Sequence, residues 1–288
     1  MNTVRRLSIL SSAVLVALVG ASPAVAAPLL GAALASFAVL GALGVTNVPN
    51  STIGGNLGSA PNASCGGGYT FTSGSLECNT APAIQAQLDL DQAIIDLTTG
   101  SGAGVTIGPS LSGTILQGVY NVGAAGTNIA TTLTLDGQNN PNAVWIFRFS
   151  SDFIMSENST VNVINVGSGS GVGIYWFAQT AATLDGAALV GNVFARQGVT
   201  SNGNLTLGCG RVASAEASVI LNQDTISLGC TALTGSGGAA EGVDTGTGGN
   251  GGTGGQVVNG VPEPGTLLLA GLGLAGLLAS RKRQLPVA

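Results

Sequence analysis

The sequence predicts a mainly β domain with one long helix, and three observations support this prediction. Short apolar segments with period-two alternation recur about every 10–15 residues in the second half of the chain. Asp-Gly or Asn-Gly turns separate them at 136–137, 185–186 and 202–203. A single segment, residues 81–99, has helical periodicity instead. Because the strands are short and their connections irregular, the pattern favours a β-solenoid over a sandwich or a barrel.

The predicted helix has recognisable ends. Thr80 can cap its first turn, Pro82 suits that turn, and Gly100 is typical of a helix end. Three large apolar residues recur at helical spacing, so we expect them to pack on an apolar surface. They are Ile84, Leu88 and Ile95, with Leu90, Ile94 and Leu97 beside them.

Acidic residues lie between these apolar positions. Asp89 and Asp91 point about 200° apart on a helix, so they share no face. A solvated helix surface is therefore expected at Asp89, Asp91 and Asp96, not a catalytic carboxylate pair. Within the predicted strands, Arg148 and Asp152 are candidates for a structural ion pair.

Short strands are predicted from about residue 131 to residue 228. The segment 131–135 alternates, with Leu133 and Leu135 on one face and Thr132 and Thr134 on the other. Residues 144–149 are apolar except for Arg148, and period-two segments continue through 161–163, 172–176, 193–195, 205–207, 219–221 and 226–228.

The N-terminal segment and the segment after the strands are not predicted to fold. Arg5 and Arg6 precede an apolar run over 7–19 and an Ala-rich stretch, which is the arrangement of a secretory signal peptide over residues 1–27. An N-terminal membrane anchor is the alternative. Residues 235–255 contain eleven glycines in twenty-one positions, and the segment 235–260 is therefore predicted to be a flexible linker. The folded domain is expected over residues 28–234.

The C-terminal segment, residues 261–288, has three parts. A Pro-Glu-Pro sequence precedes a short apolar run at 265–280, and a basic cluster closes it. The apolar run is short for a transmembrane helix, which needs about 17–25 residues, and the basic cluster would stay in the cytoplasm. The residues that define the pattern are Pro262, Glu263, Pro264, Arg281, Lys282 and Arg283.

This three-part pattern resembles the PEP-CTERM sorting signal of Gram-negative bacteria. The resemblance implies that the segment is in the membrane only transiently and is then cut by an exosortase. It also implies a secreted or cell-envelope protein, in systems that accompany exopolysaccharide and biofilm production. A retained membrane anchor is the alternative.

Four cysteines in a chain predicted to be exported favour disulfides. Three pairings are open, and we favour Cys65–Cys78 with Cys209–Cys230 because each closes a short loop. Such a loop contributes about 3 kcal/mol in the chain-entropy model. A four-cysteine metal site is the alternative, although the spacing does not fit the CxxC form. We expect no metal and no cofactor.

The composition excludes several classes of function. The 288 residues include no His, which excludes Ser-His-Asp and Cys-His catalysis and imidazole zinc sites. Residues 27–260 hold three Arg and twelve carboxylates, a net formal charge of −9, so nucleic acid is not an expected partner. No GxGxxG motif lies between a strand and a helix. A non-enzymatic protein is expected.

Seven segments in order resemble the large microbial ice-binding protein family, over about residues 30–230. They are LASFAVL at 34–40, TIGGNLG at 52–58, QAQLDL at 85–90, LQGVY at 116–120, LTLDG at 133–137, NPNAVWIF at 140–147 and GIYWF at 173–177. The resemblance implies a discontinuous right-handed β-solenoid of triangular cross-section with one long α-helix packed alongside. It also implies chain ends that add their strands out of sequential order.

In that family one flat solenoid face adsorbs to ice, and active members carry Thr-(Ala/Gly)-x-(Thr/Asn) segments on successive coils. The matching positions are expected at 155–158, 184–187 and 201–204, where Met155, Glu157 and Asp185 depart from the motif. Residues 180–183 match as a string but lie a few residues early. The candidate ice-binding residues are Ser156, Asn158, Thr180, Thr183, Asp185, Thr200, Asn202 and Asn204.

The leading functional interpretation is therefore an exported ice-binding protein, with antifreeze or ice-adhesion activity that the altered motifs weaken. Ordinary solvated strand and turn residues are the alternative interpretation of the candidate positions. The alternative function is a structural or adhesive matrix protein that binds exopolysaccharide or partner proteins. Thr183→Tyr or Asn204→Tyr should reduce ice activity and leave the melting temperature nearly unchanged.

Overall fold

The computed structural model describes residues 29–166 and 172–229. The predicted signal peptide, linker and sorting signal lie outside these residues, as does Cys230. The described elements, in chain order, are α1 (Ala32–Ala35), β1 (Phe37–Gly41), β2 (Gly44–Val48), β3 (Ser51–Gly54), β4 (Asn56–Ser59), β5 (Cys65–Gly66), β6 (Tyr69–Ser73), β7 (Leu76–Cys78), α2 (Ala81–Ile95), a π-helical turn (Asp96–Gly100), β8 (Val105–Ile107), β9 (Gly113–Leu116), β10 (Gly118–Val122), β11 (Thr132–Asp136), β12 (Val144–Phe149), β13 (Phe153–Met155), β14 (Thr160–Ile164), β15 (Gly173–Ala178), β16 (Ala181–Asp185), β17 (Ala188–Ala195), β18 (Gly198–Gly203), β19 (Thr206–Ser214), β20 (Ser218–Asn222) and β21 (Thr225–Ser227).

The strands form three ladders of parallel pairs, which confirms the mainly β prediction. The first ladder, called the helix-side ladder, runs β7-β4-β1-β19-β17-β15-β12-β10-β8. The second ladder is the separate sheet β13-β16-β18-β20-β2-β5. The third ladder runs β9-β11-β14-β17-β19-β21-β3-β6. Each coil of chain contributes one strand segment to each ladder in turn.

Two long strands belong to two ladders because each bends in the middle. The bends lie at Gly191 (φ +100°) in β17 and at Cys209 (φ 53°) in β19. A Cβ at Gly191 would lie 2.7 Å from the Ile174 carbonyl oxygen, so this corner needs glycine.

The coils stack out of sequential order, as the family resemblance implies. The N-terminal strands β1, β2 and β3 pair with the C-terminal strands β19, β20 and β21. Strands β4–β6 then extend the stack beyond them. The first coils of the chain therefore lie against its last described coil, and this junction must form from segments far apart in sequence.

Helix α2 covers the helix-side ladder, with a buried face different from the predicted one. Thr80 caps the helix, accepting a hydrogen bond from the Ala83 amide, as predicted. The expected ridge is wrong, because Ile84, Leu88 and Ile95 are 46%, 57% and 52% exposed. The buried residues are Ala83, Ala86, Leu90, Ala93, Ile94 and Leu97, which pack on Leu40, Ile146, Tyr175, Phe177, Phe194 and Ala213. Small alanines let the helix approach the sheet closely. The spacing of the larger apolar residues predicted a different buried face, which is wrong.

Asp89 is not the solvated residue that the sequence predicts. Its Oδ2 accepts hydrogen bonds from the backbone amides of Ala33 (2.9 Å) and Leu34 (3.1 Å), in the first turn of α1. Free amides at a helix N-terminus are a favourable site for a carboxylate. Asp89 therefore joins α2 to the N-terminal segment, a contact between residues more than fifty positions apart.

The predicted Arg148–Asp152 pair does not form. Asp152 accepts hydrogen bonds from the Thr180 hydroxyl and from the Ala181 amide at a corner of the coil. Arg148 instead donates from Nε to the Leu97 carbonyl oxygen at 2.6 Å. Within the described residues the ion pair that forms is Arg196–Glu216, at 3.5 Å.

Apolar side chains fill the space between the three ladders. Aromatic rings stack near its centre: Phe147 and Trp176 lie with centroids 4.5 Å apart, and Phe153 packs on Trp176 at 5.4 Å. The Trp176 indole nitrogen donates to the Val190 carbonyl oxygen at 2.9 Å, so burial leaves its polar group satisfied. No helix in the described part of the chain is long and apolar enough to cross a membrane.

The disulfide prediction is confirmed where it can be tested. Cys65 and Cys78 are bonded. Cys209 is also in a disulfide, while its predicted partner Cys230 lies outside the described residues. A metal site at Cys65 and Cys78 is therefore wrong.

Candidate functional site

The second ladder exposes a surface that neither helix covers, called here the second-ladder surface. Strand register places one outward residue of each strand in a continuous row across six coils. Its members are Ile154, Thr183, Thr200, Ile220, Thr46 and Gly66. The residues between them, including Leu184, Val199 and Val219, are buried. The row therefore presents three threonines, two isoleucines and a glycine above an apolar core.

A second outward row runs beside the first, two residues further along each strand. It consists of Asp185, Asn202, Asn222 and Val48. The register shifts by one residue after Leu184, and side chains bridge this irregularity. The Asn202 amide donates to the Asp185 carboxylate, and the Asn222 amide donates to the Asn202 carbonyl oxygen at 2.9 Å. These bonds hold the polar side chains of the second row in fixed positions.

Four of the eight predicted site residues lie on this surface, and the other four lie at its corners. Thr183, Asp185, Thr200 and Asn202 are outward-facing strand residues. Ser156 and Asn158 follow β13, Thr180 precedes β16, and Asn204 follows β18.

The expected motif positions begin one residue too late. Met155, expected to replace a small surface residue, is fully buried, and the outward residues of these strands are Ile154, Thr183, Asp185, Thr200 and Asn202. Asn204 has φ 59°, a left-handed conformation that strains most side chains. The predicted Asn204→Tyr variant would therefore disturb the backbone as well as the surface, and it is a poor probe.

A buried carboxylate fixes the corner between the second and third ladders. Asp224 is 1% exposed and accepts hydrogen bonds from the Ser201 hydroxyl (2.7 Å), the Leu205 amide (2.9 Å) and the Asn222 amide (2.9 Å). Burial raises the pKa of Asp224, and these three hydrogen bonds oppose the rise. The backbone amide of Asp224 donates a hydrogen bond to the Ser51 hydroxyl oxygen at 2.9 Å. The corner thus joins the C-terminal coils to the N-terminal one.

The third ladder carries a regular row of threonines that the sequence reasoning missed. Register places seven outward residues on neighbouring strands. They are Thr132, Thr160, Ala188, Thr206, Thr225, Thr52 and Thr70. The sequence does carry a signal for this row, because each of these seven residues is followed by a large apolar residue that points inward. Thr52 and Thr70 join the row only through the out-of-order stacking.

The two surfaces differ in shape. On the third ladder, the residues two positions after Ala188 and Thr206 are Val190 and Gly208, and both are buried. The central coils of this ladder therefore expose only one row of side chains. On the second-ladder surface, four neighbouring strands each offer two outward positions. Neighbouring strands are about 4.8 Å apart and alternate residues about 6.6 Å apart, so this surface is a two-dimensional lattice. Within the described residues, no group of three or more acidic, Cys or His side chains could hold a metal ion.

Comparison of this chain with known protein families and structures agrees with the fold described above. The family model described as Ice-binding-like matches residues 39–227, most of the described chain. The chain belongs to the ice-binding-like family. A second match, the PEP-CTERM protein-sorting motif, covers residues 260–283 and indicates export to the cell envelope or the extracellular space. Both resemblances inferred from the sequence are therefore confirmed.

Known members of the family resemble the chain over most of its described length. An ice-binding protein of Nostoc sp. (strain HG1) is 28% identical over 198 residues, 68% of this chain and 72% of that protein. The crystal structure of an ice binding protein from an Antarctic biological consortium gives a TM-score of 0.62 at 24% identity, covering 78% of this chain and 96% of that one. The ice-binding protein of the Antarctic ascomycete Antarctomyces psychrotrophicus gives 0.59 at 25% identity, covering 70% and 98%. These two solved structures support the solenoid-like fold.

Proposed function

We propose that this protein adsorbs to ice through the second-ladder surface. Its solenoid would be right-handed and triangular in cross-section, and its action would be non-enzymatic. The observation that carries the proposal is the pair of outward rows on neighbouring parallel strands, one of them containing Thr183, Thr200 and Thr46. The relatives that resemble the chain are named as ice-binding proteins, which supports the same conclusion.

The physical basis is rigidity and repetition. Threonine offers a methyl group and a hydroxyl with a stiff χ1, so a row of threonines holds surface water in a fixed arrangement. Each contact is weak, and many preorganised contacts act together. The hydrogen bonds among Asp185, Asn202 and Asn222 restrict the second row in the same way.

The threonine row of the third ladder is a second candidate surface. Its six threonines are chemically more uniform than the second-ladder row, which includes Ile154 and Ile220. However, the exposed surface of the third ladder is only one residue wide at β17 and β19, and adsorption to a crystal plane requires area in two dimensions. We therefore favour the second-ladder surface, and the following experiment separates the two.

Thr183→Tyr should remove most of the thermal hysteresis and recrystallisation inhibition of the full chain, because a bulky ring on the outward row prevents close approach of ice. Thr206→Tyr is the matched control: the same substitution at a half-exposed threonine of the third ladder. Thr206→Tyr should retain activity. Both variants should melt close to the wild type, since neither side chain is in the core.

The outcomes distinguish the surface from the function. Loss of activity in Thr206→Tyr alone would assign ice binding to the third ladder and refute our choice of surface. A wild-type protein that leaves ice crystals growing as in buffer would refute ice binding itself. The matrix interpretation, in which the same scaffold binds exopolysaccharide or proteins, would then replace it.

Asp185→Asn should increase ice activity. A charged carboxylate holds its own hydration shell and disturbs an ordered water layer, whereas asparagine keeps the shape and the acceptor oxygen that Asn202 uses. Ice recrystallisation inhibition by the full chain would be compared with that of Asp185→Ala, which removes the charge and the acceptor together. Unchanged or lower activity in Asp185→Asn would show that the charge at this position does not limit binding.

We further propose processing at both ends. Residues 1–27 would be removed by a signal peptidase, and an exosortase of a Gram-negative host would cut near Pro262–Pro264, leaving the solenoid outside the cell. The linker at 235–260 would connect the solenoid to the sorting signal until that cut. Support comes from the PEP-CTERM match, with basic residues Arg281, Lys282 and Arg283 behind the apolar run.

A further inference from the structure

An open groove lies on the helix-side ladder, away from both candidate ice surfaces. Helix α2 ends at Ile95 and the π-helical turn follows, so the helix leaves the last strands of this ladder uncovered. The groove has a volume of about 530 Å³. Register places Thr106, Asn121 and Arg148 in one row along it, on β8, β10 and β12.

Arg148 brings a positive charge to this groove without a carboxylate partner in the described chain. Its Nε donates to the Leu97 carbonyl oxygen, and Nη1 reaches the Ala103 carbonyl oxygen only at 3.4 Å. Its Nη2 is buried and has no hydrogen-bond partner. Burial also lowers the pKa of Arg148, because the guanidinium has lost part of its hydration. A partly desolvated cation with an unused donor favours a bound anion.

The other lining groups suggest what carries that anion. None of the lining residues is acidic, so nothing in the groove repels a carboxylate. Ser150 and Gln179 add a hydroxyl and an amide at the rim. Hydroxyl and amide groups match the hydroxyls of a sugar.

We propose that this groove binds a uronic-acid sugar, with the sugar carboxylate on Arg148 and the ring hydroxyls on Ser150 and Gln179. The carboxylate would replace the Ala103 carbonyl oxygen as the partner of Nη1, whose bond to Ala103 is long. The site is separate from the ice surface, so a single molecule could bind ice and an acidic saccharide at once.

The test is a titration of the full chain with glucuronate. Binding is measured by calorimetry or by the NMR chemical-shift changes of the residues lining the groove. Glucuronate should bind, and glucose, which lacks the carboxylate, should bind at least about tenfold more weakly. Sodium acetate separates the sugar from the charge: acetate binding as tightly as glucuronate would overturn the sugar assignment. Glucose binding as tightly as glucuronate would overturn the role of Arg148.

Two variants keep the test independent of folding. Arg148→Gln should lower glucuronate affinity by about tenfold or more, but it also removes a bond to the end of α2. Gln179→Ala changes an exposed rim residue and should weaken glucuronate severalfold, with an unchanged melting temperature and unchanged ice activity. Full glucuronate affinity in Gln179→Ala together with Arg148→Gln would refute the site.

Discussion

Replacing Arg211 by methionine should destabilise the protein by about 3–5 kcal/mol, the largest effect we expect from one substitution. Arg211 lies in β19 and is fully buried. Its Nε donates to the Phe37 carbonyl oxygen (3.0 Å), Nη2 to the Ala35 carbonyl oxygen (3.1 Å), and Nη1 to Asn192 Oδ1 (2.7 Å). Methionine fills much of the volume but leaves these three buried acceptors without that donor.

The position of Arg211 makes this effect specific to one junction. Ala35 and Phe37 belong to the N-terminal segment, and Arg211 belongs to the last described coil, more than 170 residues away in sequence. The guanidinium thus bonds the two parts of the discontinuous solenoid where β1 pairs with β19. Loss of these bonds should loosen the N-terminal coils before the coils that hold Trp145 and Trp176.

Urea unfolding followed by both circular dichroism and tryptophan fluorescence would measure this effect. Arg196→Met is the matched control, because Arg196 forms a half-exposed ion pair with Glu216. Exposed pairs contribute about 1 kcal/mol or less, so this control should remain close to the wild type. Equal stability of the two variants would mean that the buried bonds of Arg211 do not hold the junction.

The fold could be predicted to the level of strands, turns and helix because these signals are local. Period-two alternation marks a strand wherever the strand lies, and Thr80 caps α2 through its own neighbour Ala83. The buried face of α2 could not be predicted, since it depends on how closely the sheet approaches. Alanines at 83, 86 and 93 face the sheet, and larger Ile84 and Leu88 face solvent.

The candidate site was only partly accessible to sequence reasoning. Thr183 and Thr200, two candidates from the family motif, are outward-facing strand residues. A motif placed one residue late exchanges inward and outward positions, which is why Met155 is expected on the surface and is in fact buried. The row through Thr52 and Thr225 depends on pairing between β3 and β21. No local pattern reports a contact across so long a separation.

Asp224→Ala should destabilise the protein by about 3 kcal/mol and also reduce ice activity. The substitution leaves the Ser201 hydroxyl and the Leu205 and Asn222 amides without their acceptor in a buried corner. Ser201 lies between outward-facing Thr200 and Asn202, so a looser corner disturbs the second-ladder surface. Asp152→Ala is the matched control at a less buried corner, where two donors lose their acceptor, and it should cost about half as much.

The pH dependence of Asp224 gives an independent check. Since burial raises its pKa above the ordinary 3.8, the folded protein binds this proton more tightly than the unfolded chain. Its contribution to the unfolding free energy is therefore fully present below pH 3.8 and is lost as the pH rises through the folded-state pKa. Asp224→Asn cannot titrate, so acidification from neutral pH should stabilise the wild type relative to Asp224→Asn in urea unfolding. A wild type that instead loses stability relative to this variant would show that the three hydrogen bonds outweigh burial and hold the carboxylate in its charged form.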